Sequence, residues 1–192
     1  MGIGSIIFLN GASSSGKTTI GRELQRQIDR PFLYLSSDQL VEAKVLPRID
    51  RDRPDGIWAW GTIRPHFFEA FHRCMVAFAV AGNDLIVEHV VEFQSWYDDC
   101  VRLLNDFDVF YVGIHCPIKE LERREKMRGD RMIGEGASHI ADGIHTWGSY
   151  DFEIDTSLQS TPDGAKAIIE AFSKRTPSAF KTSFQRIVMV RD

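Results

Sequence analysis

The chain has 192 residues, of which 43% are hydrophobic and 26% charged, an ordinary globular composition with enough length for one sizeable core and a small insertion. Its 23 Lys and Arg against 27 Asp and Glu leave a net charge of −4. That speaks against a surface that coats nucleic acid, though not against a local basic pocket.

Three cysteines, Cys74, Cys100 and Cys116, stand far apart in or beside apolar runs and show no metal spacing. They read as reduced thiols of a cytoplasmic protein. The opening "MGIGSIIFLNG" has no basic n-region, and its apolar run is too short for a signal peptide or a membrane span. Ile6 stands where a myristoylation signal wants Ser or Thr. No membrane or nucleic-acid partner is therefore expected.

In chain order, residues 6–9 predict a buried strand. A helix follows over 18–29, with Ile20, Leu24 and Ile28 on one face and Pro31 as its stop. "FLYLSSD", 32–38, is a second strand ending in polar residues. Residues 42–65 read as irregular, punctuated by Pro47, Pro54, Gly56, Gly61 and Pro65. A long helix is predicted over 66–81, closed by Gly82-Asn83, and "DLIVEHV" is a third strand. Trp96, Cys100, Val101 and Leu104 mark a further helix, and "VFYVGIHC" a fourth strand. Pro117 opens the largely polar helix "IKELERREKMRGDR". Residues 150–157 form a fifth strand and 162–174 a last helix. The segment after Pro177 reads as an extra strand or a partner-binding arm. Strands alternating with helices predict an α/β fold with a mainly parallel sheet. One domain is expected over 1–176, with 42–65 as a substrate-side insertion, 117–147 as a lid region and 177–192 as a tail.

"GASSSGKT", residues 11–18, fits G-x-x-x-x-G-K-[ST] at every position. Glycines let the backbone turn its N–H groups inward onto phosphate oxygens, and the following helix sets its positive end on the same anion. Gly11, Ala12, Ser13, Ser14, Ser15, Gly16, Lys17, Thr18 and Thr19 are thus the expected nucleotide-phosphate seat. Lys17 reaches the β and γ phosphates, and the Thr18 hydroxyl ligates Mg²⁺. The motif follows a strand and opens an amphipathic helix, which is the confirming context.

Phosphoryl transfer also needs a held acceptor, charge neutralisation and exclusion of water. Asp38 closes the second strand, where carboxyl ends of a parallel sheet line the ligand crevice. It can take or orient a hydroxyl proton, or it can cap the next helix. Glu88 ends the third strand and is expected to hold the metal's hydration shell or contact substrate, with a metal-bound water or an arginine as its partner. His89 beside it is a substrate-binding candidate. Arg123, Arg124, Arg128 and Arg131 crowd the polar helix, which Gly129-Asp130 interrupts. Arg128 and Arg131 are the preferred phosphate clamp, because a planar guanidinium fork suits a moving phosphoryl group. Trp58 and Trp60, with Phe67, could pack a flat or apolar acceptor.

The pieces "IIFLNGASSSGKTT", "SSDQLVEA", "AGNDLIVEHVV", "FDVFYVGIHCP", "ERREKMRGDR" and "HTWGSYDFEIDTS" together resemble the chloramphenicol phosphotransferase-like family of P-loop kinases, in the family's order and over most of residues 3–172. The resemblance implies a three-layer P-loop kinase fold with a five-stranded parallel sheet and a small lid. It also implies ATP-dependent transfer of the γ-phosphate, with Mg²⁺, to a hydroxyl of a small molecule. It puts the general base at Asp38, the phosphate-binding lysine at Lys17 and the lid arginines at 128–131, with Thr156 onward near the adenine. The family's third strand ends in two acidic residues where this chain has Glu88-His89, and residues 42–65 have no counterpart; both are expected near the acceptor.

Two alternatives stand beside this reading. One is a nucleotide or sugar-metabolite acceptor, of which a nucleotide would need a second anion site among Arg48, Arg51, Arg53 and Arg64. A nucleotide-binding switch without small-molecule turnover would need neither. A homo-oligomer stays open.

Overall fold

The computed structural model describes residues 2–50, 53, 56–129 and 132–189. β1 (Ile6–Asn10) leads through the glycine-rich turn into α1 (Lys17–Gln27), and β2 (Phe32–Ser36) runs directly into the short α2 (Ser37–Glu42). α3 (Trp60–Val80), β3 (Asp84–His89), α4 (Gln94–Leu104), β4 (Val109–His115) and α5 (Ile118–Arg128) follow. The chain closes with α6 (Glu135–Ala141), β5 (Phe152–Asp155), α7 (Thr161–Ser173) and α8 (Ala179–Met189).

The five strands are all parallel, in the order β2-β3-β1-β4-β5. Both sheet faces are covered, so β1 is apolar almost throughout instead of alternating. Ile6 and Phe8 point into a core closed by α3, α4 and α8, whereas Ile7 and Leu9 point into one closed by α1 and α7. This is the three-layer α/β architecture expected. The chain leaves β1 toward β2 on one side and reaches β4 on the other, so a crevice opens at the carboxyl ends of β1 and β3. Asn10 and His89 are register partners there.

Among the elements that differ from expectation are α3 and α8. The helix predicted over 66–81 starts six residues earlier, at Trp60, and carries Pro65 inside it. Pro65 is the sixth residue of the helix, so it gives up one ladder bond, the one to Gly61 O, and the helix continues past it. The segment after Pro177 is neither strand nor arm but α8. Asp151 accepts from Ser178 N at 2.8 Å and Ala179 N at 3.0 Å, which caps the helix from a distant part of the chain. Phe180 is buried, and Ser183 Oγ bonds Tyr97 OH at 2.7 Å on α4.

Candidate active site

β1 ends on Asn10, which is fully buried and ties together three segments. Its amide donates to Ile144 O at 2.9 Å and Tyr150 OH at 2.7 Å, and its oxygen accepts from Val91 N at 3.0 Å. The turn that follows is anchored at both ends. A Cβ at Gly11 would lie 2.4 Å from Ile114 O, so only glycine fits against β4. Gly16 takes φ 96° and Ser14 φ 61°, left-handed conformations that curl the backbone around an anion seat. α1 then begins at Lys17 with no side-chain cap and no acidic residue in its first turn. Its leading N–H groups and positive end thus stay available to a phosphate. The hydroxyls of Ser14 and Ser15 are buried without a hydrogen-bond partner, polar atoms that an anion would satisfy.

Lys17 is buried, with Nζ donating to Ala12 O at 2.8 Å. Thr18 Oγ1 donates to Glu88 Oε1 at 2.8 Å, and the Tyr34 hydroxyl donates to Glu88 Oε2. Among the described residues the buried Glu88 is bonded by two hydroxyls, where an arginine was one of the partners expected from sequence. Burial first, and then the Glu88 charge, pushes the Tyr34 phenol far up, so it remains a donor. Arg22 lies over the Tyr34 ring at 3.9 Å. Thr18 and Glu88 offer hard oxygens of the kind Mg²⁺ takes, and Mg²⁺ commonly uses one or two protein groups beside substrate phosphates and waters. The donor set fits that ion.

From the other side the cradle is held by α5 and α6. Arg124 reaches Ser15 O at 3.2 Å, Thr156 Oγ1 at 2.9 Å and Thr156 O at 3.0 Å, while Glu120 accepts from its Nε at 2.9 Å. Ser13 N donates to His139 Nδ1 at 3.1 Å, and Ser13 Oγ to Glu135 Oε2 at 3.1 Å. Glu125, 1% exposed, accepts from Gly134 N at 2.7 Å and Gly136 N at 2.8 Å, which fastens the turn between the two helices. α5 stops at Arg128 because Gly129 takes φ 70°. Arg131 lies outside the described residues.

A cavity of about 380 Å³ joins these parts, walled by Lys17, Thr18, Asp38, Glu88, His89 and Arg128 among others. Asp38 sits in the first turn of α2, whose cap is Ser36 Oγ accepting from Gln39 N at 3.1 Å. Capping is thus done by Ser36, and Asp38 faces the cavity instead. A second cavity of about 320 Å³ shares Asp38 and adds Trp60, Arg64, Phe67, Glu92 and His139. Trp60, Phe67 and Phe68 pack ring to ring there. Trp58 is 51% exposed and lines neither cavity. Arg64 is paired with Glu92, Arg48 and Arg53 are exposed and line neither, and Arg51 lies outside the described residues.

The family model for chloramphenicol phosphotransferase-like proteins matches residues 4–173. The chain belongs to this family. A Mycobacterium tuberculosis protein named "Putative O-phosphotransferase" is 30% identical over 189 residues, covering 88% of this chain and 82% of the relative. The M. tuberculosis APS kinase CysC, solved with AMPPNP and APS, is similar in structure with TM-score 0.62 and 18% identity, over 90% of this chain and 99% of that one. Shikimate kinase from Acinetobacter baumannii, solved with shikimate, has TM-score 0.63 and 17% identity, over 91% and 96%. A tunicamycin resistance protein from Deinococcus radiodurans has TM-score 0.62 and 14% identity, over 92% and 98%. The fold is that of P-loop kinases, and the chain is a phosphotransferase of the chloramphenicol phosphotransferase-like family.

Within this family member several site residues escaped the sequence reading. Tyr34 lies inside an apolar run, four residues before Asp38, and only the pairing of β2 with β3 brings it to Glu88. Glu135 and His139 sit on α6, which was not predicted. Its signals were slight, a left-handed Gly134 and an acidic first turn over seven residues. Arg124, less favoured than Arg128 and Arg131 as a phosphate clamp, is bonded to the cradle backbone.

Proposed function

We propose that the protein is an ATP-dependent phosphotransferase that moves the γ-phosphate to a hydroxyl of a small, uncharged, partly apolar organic molecule. One observation carries this reading: the anion seat, the Thr18–Glu88 pair and the carboxylate of Asp38 open onto one cavity, which continues into an aromatic-lined second one. The cradle N–H groups and the start of α1 bind the triphosphate. Lys17 exchanges its bond to Ala12 O for phosphate oxygens and neutralises them. Thr18 and Glu88 would hold Mg²⁺, which supplies charge neutralisation across the β and γ phosphates. Asp38 accepts the hydroxyl proton as the acceptor oxygen attacks. Arg128 carries a fixed positive charge on the cavity wall and offsets charge gathering on the transferred group. Trp60, Phe67 and Phe68 pack the apolar part of the acceptor and exclude water.

A nucleotide or other phosphorylated acceptor is the poorer fit. Among the described residues, Arg64 is already neutralised by Glu92, and Glu135 and Asp38 add negative charge to the same compartment. The O-phosphotransfer named for the relative supports a hydroxyl acceptor. Three free thiols, Cys74, Cys100 and Cys116, support a cytoplasmic location.

The test is a transfer screen with γ-labelled ATP over hydroxyl-bearing small molecules, including chloramphenicol, nucleosides and nucleotides. Label should pass to uncharged alcohols and not to nucleotides. Slow hydrolysis indifferent to every acceptor, with a protein that binds one nucleotide state alone, would instead establish a switch.

A further inference from the structure

β3 ends at His89, which is 1% exposed yet lines the larger cavity. Its ring stacks on Phe68 at 5.5 Å and on Trp96 at 5.7 Å. Its Nε2 meets His72 Nε2 at 3.1 Å, and His72 Nδ1 meets Asp99 Oδ2 at 2.8 Å. His72 is as deeply buried as His89, while Asp99 stands at the solvent end of the chain of bonds. The remaining ring atom, His89 Nδ1, is buried with no hydrogen-bond partner.

Bond polarity along this row is determined. A carboxylate only accepts, so His72 Nδ1 carries the proton. Both rings are 1% exposed, and the bond that His89 makes runs to another ring and not to a carboxylate. Loss of hydration disfavours a charged ring in such a place, so each ring is neutral with one N–H. His72 Nε2 must then accept, His89 Nε2 must donate, and His89 Nδ1 is left as a bare lone pair. A desolvated lone pair without a partner costs free energy unless a ligand supplies a donor.

We propose that His89 Nδ1 reads a second O–H or N–H donor on the acceptor molecule, with its polarity set by Asp99 through His72. The inference rests on the phosphotransferase reading and narrows its substrate class. The acceptor carries two donors, one hydroxyl phosphorylated at Asp38 and another group held by His89, joined by an apolar or aromatic body that fits among Phe68, Phe67 and Trp60. His72 and Asp99 are positioning residues, and His89 is a specificity residue.

The test needs no turnover, so it fails or succeeds apart from the kinase assignment. Full-length protein labelled with ¹⁵N-histidine is examined by long-range ¹H–¹⁵N NMR, first alone. His89 should show a protonated Nε2 and a bare Nδ1; a protonated Nδ1 overturns the proposal. Alcohol fragments and their methyl ethers are then titrated, phenol against anisole and benzyl alcohol against benzyl methyl ether. The alcohols should move the Nδ1 signal and bind about tenfold tighter than the ethers, the size expected for satisfying one buried acceptor. No alcohol moving that signal, or alcohol and ether moving it equally, also overturns it. Two variants add a structural control. His89→Asn sets an amide oxygen near the former Nδ1 and should keep the preference for alcohols. His89→Gln sets its amide near the former Nε2 and should lose that preference. AMPPNP binding reports in both that the cradle is still folded. Loss of the preference in both variants alike refutes a role specific to Nδ1.

Discussion

Asp38→Asn separates catalysis from architecture more cleanly than any other change. The amide keeps the size and shape of the carboxylate but cannot take a proton. General acid–base groups of this kind contribute about 10²–10⁴-fold, equivalent to roughly 2.7–5.5 kcal/mol on the barrier. The structural cost is small by comparison. Ser36, not Asp38, caps α2, so the helix start survives. The first helical turn loses one negative charge, worth about 0.3–1 kcal/mol. The variant should lose two to four decades of acceptor-dependent ADP release and stay folded, as urea unfolding will show. Nucleotide binding, measured with AMPPNP by calorimetry, should stay near that of the parent, because the triphosphate seat is built by residues 11–19 on another element. Near-parental turnover would refute the base assignment. Parallel loss of AMPPNP binding would assign Asp38 to nucleotide or metal binding instead.

Lys17→Ala should abolish transfer, since it removes the buried cation of the cradle; measurable kcat near the parent would sink the phosphate-seat assignment. Glu125→Ala strands the N–H groups of Gly134 and Gly136, at a cost of roughly 2–4 kcal/mol for one part-buried and one buried donor. Hydrogen exchange should rise in residues 132–141 well before the central sheet opens, and uniform protection would contradict that role. Burial, with help from His115 and Lys17, depresses His145 to about 4. The unfolded chain then binds the extra proton between pH 6.5 and 4, so stability falls as pH drops through that window and is regained above it. Allowing for partial exposure, this amounts to about 1–2 kcal/mol. Urea unfolding at pH 7.5, 5.5 and 4.5 should show the decline, and His145→Asn should flatten it.

What could be read directly was what is contiguous. Residues 11–18 sit between a strand and a helix, and every part of that unit is specified within fifteen residues. Short apolar runs likewise marked all five strands, and helical spacing with start and stop residues marked most of the helices. α6 escaped because seven residues with one buried glycine carry almost no periodicity. The start of α3 escaped because Gly61 and Pro65 look like breakers, yet the helix runs through both. α8 escaped because its cap, Asp151, lies 27 residues upstream of Ser178.

The sequence by itself determined the glycine-rich turn between β1 and α1, the α/β class and the placing of Asp38 and Glu88 at strand ends, because each depends on local spacing along one strand or turn. Tertiary structure decided who partners whom. Tyr34 meets Glu88 across 54 residues, Arg124 meets Ser15 across 109 and Ser13 meets His139 across 126. Only the strand order 2-3-1-4-5, with β3 set between β2 and β1, brings those side chains to one crevice. The same order places His89 against His72 and Asp99, and so decides which ring nitrogen is left without a partner.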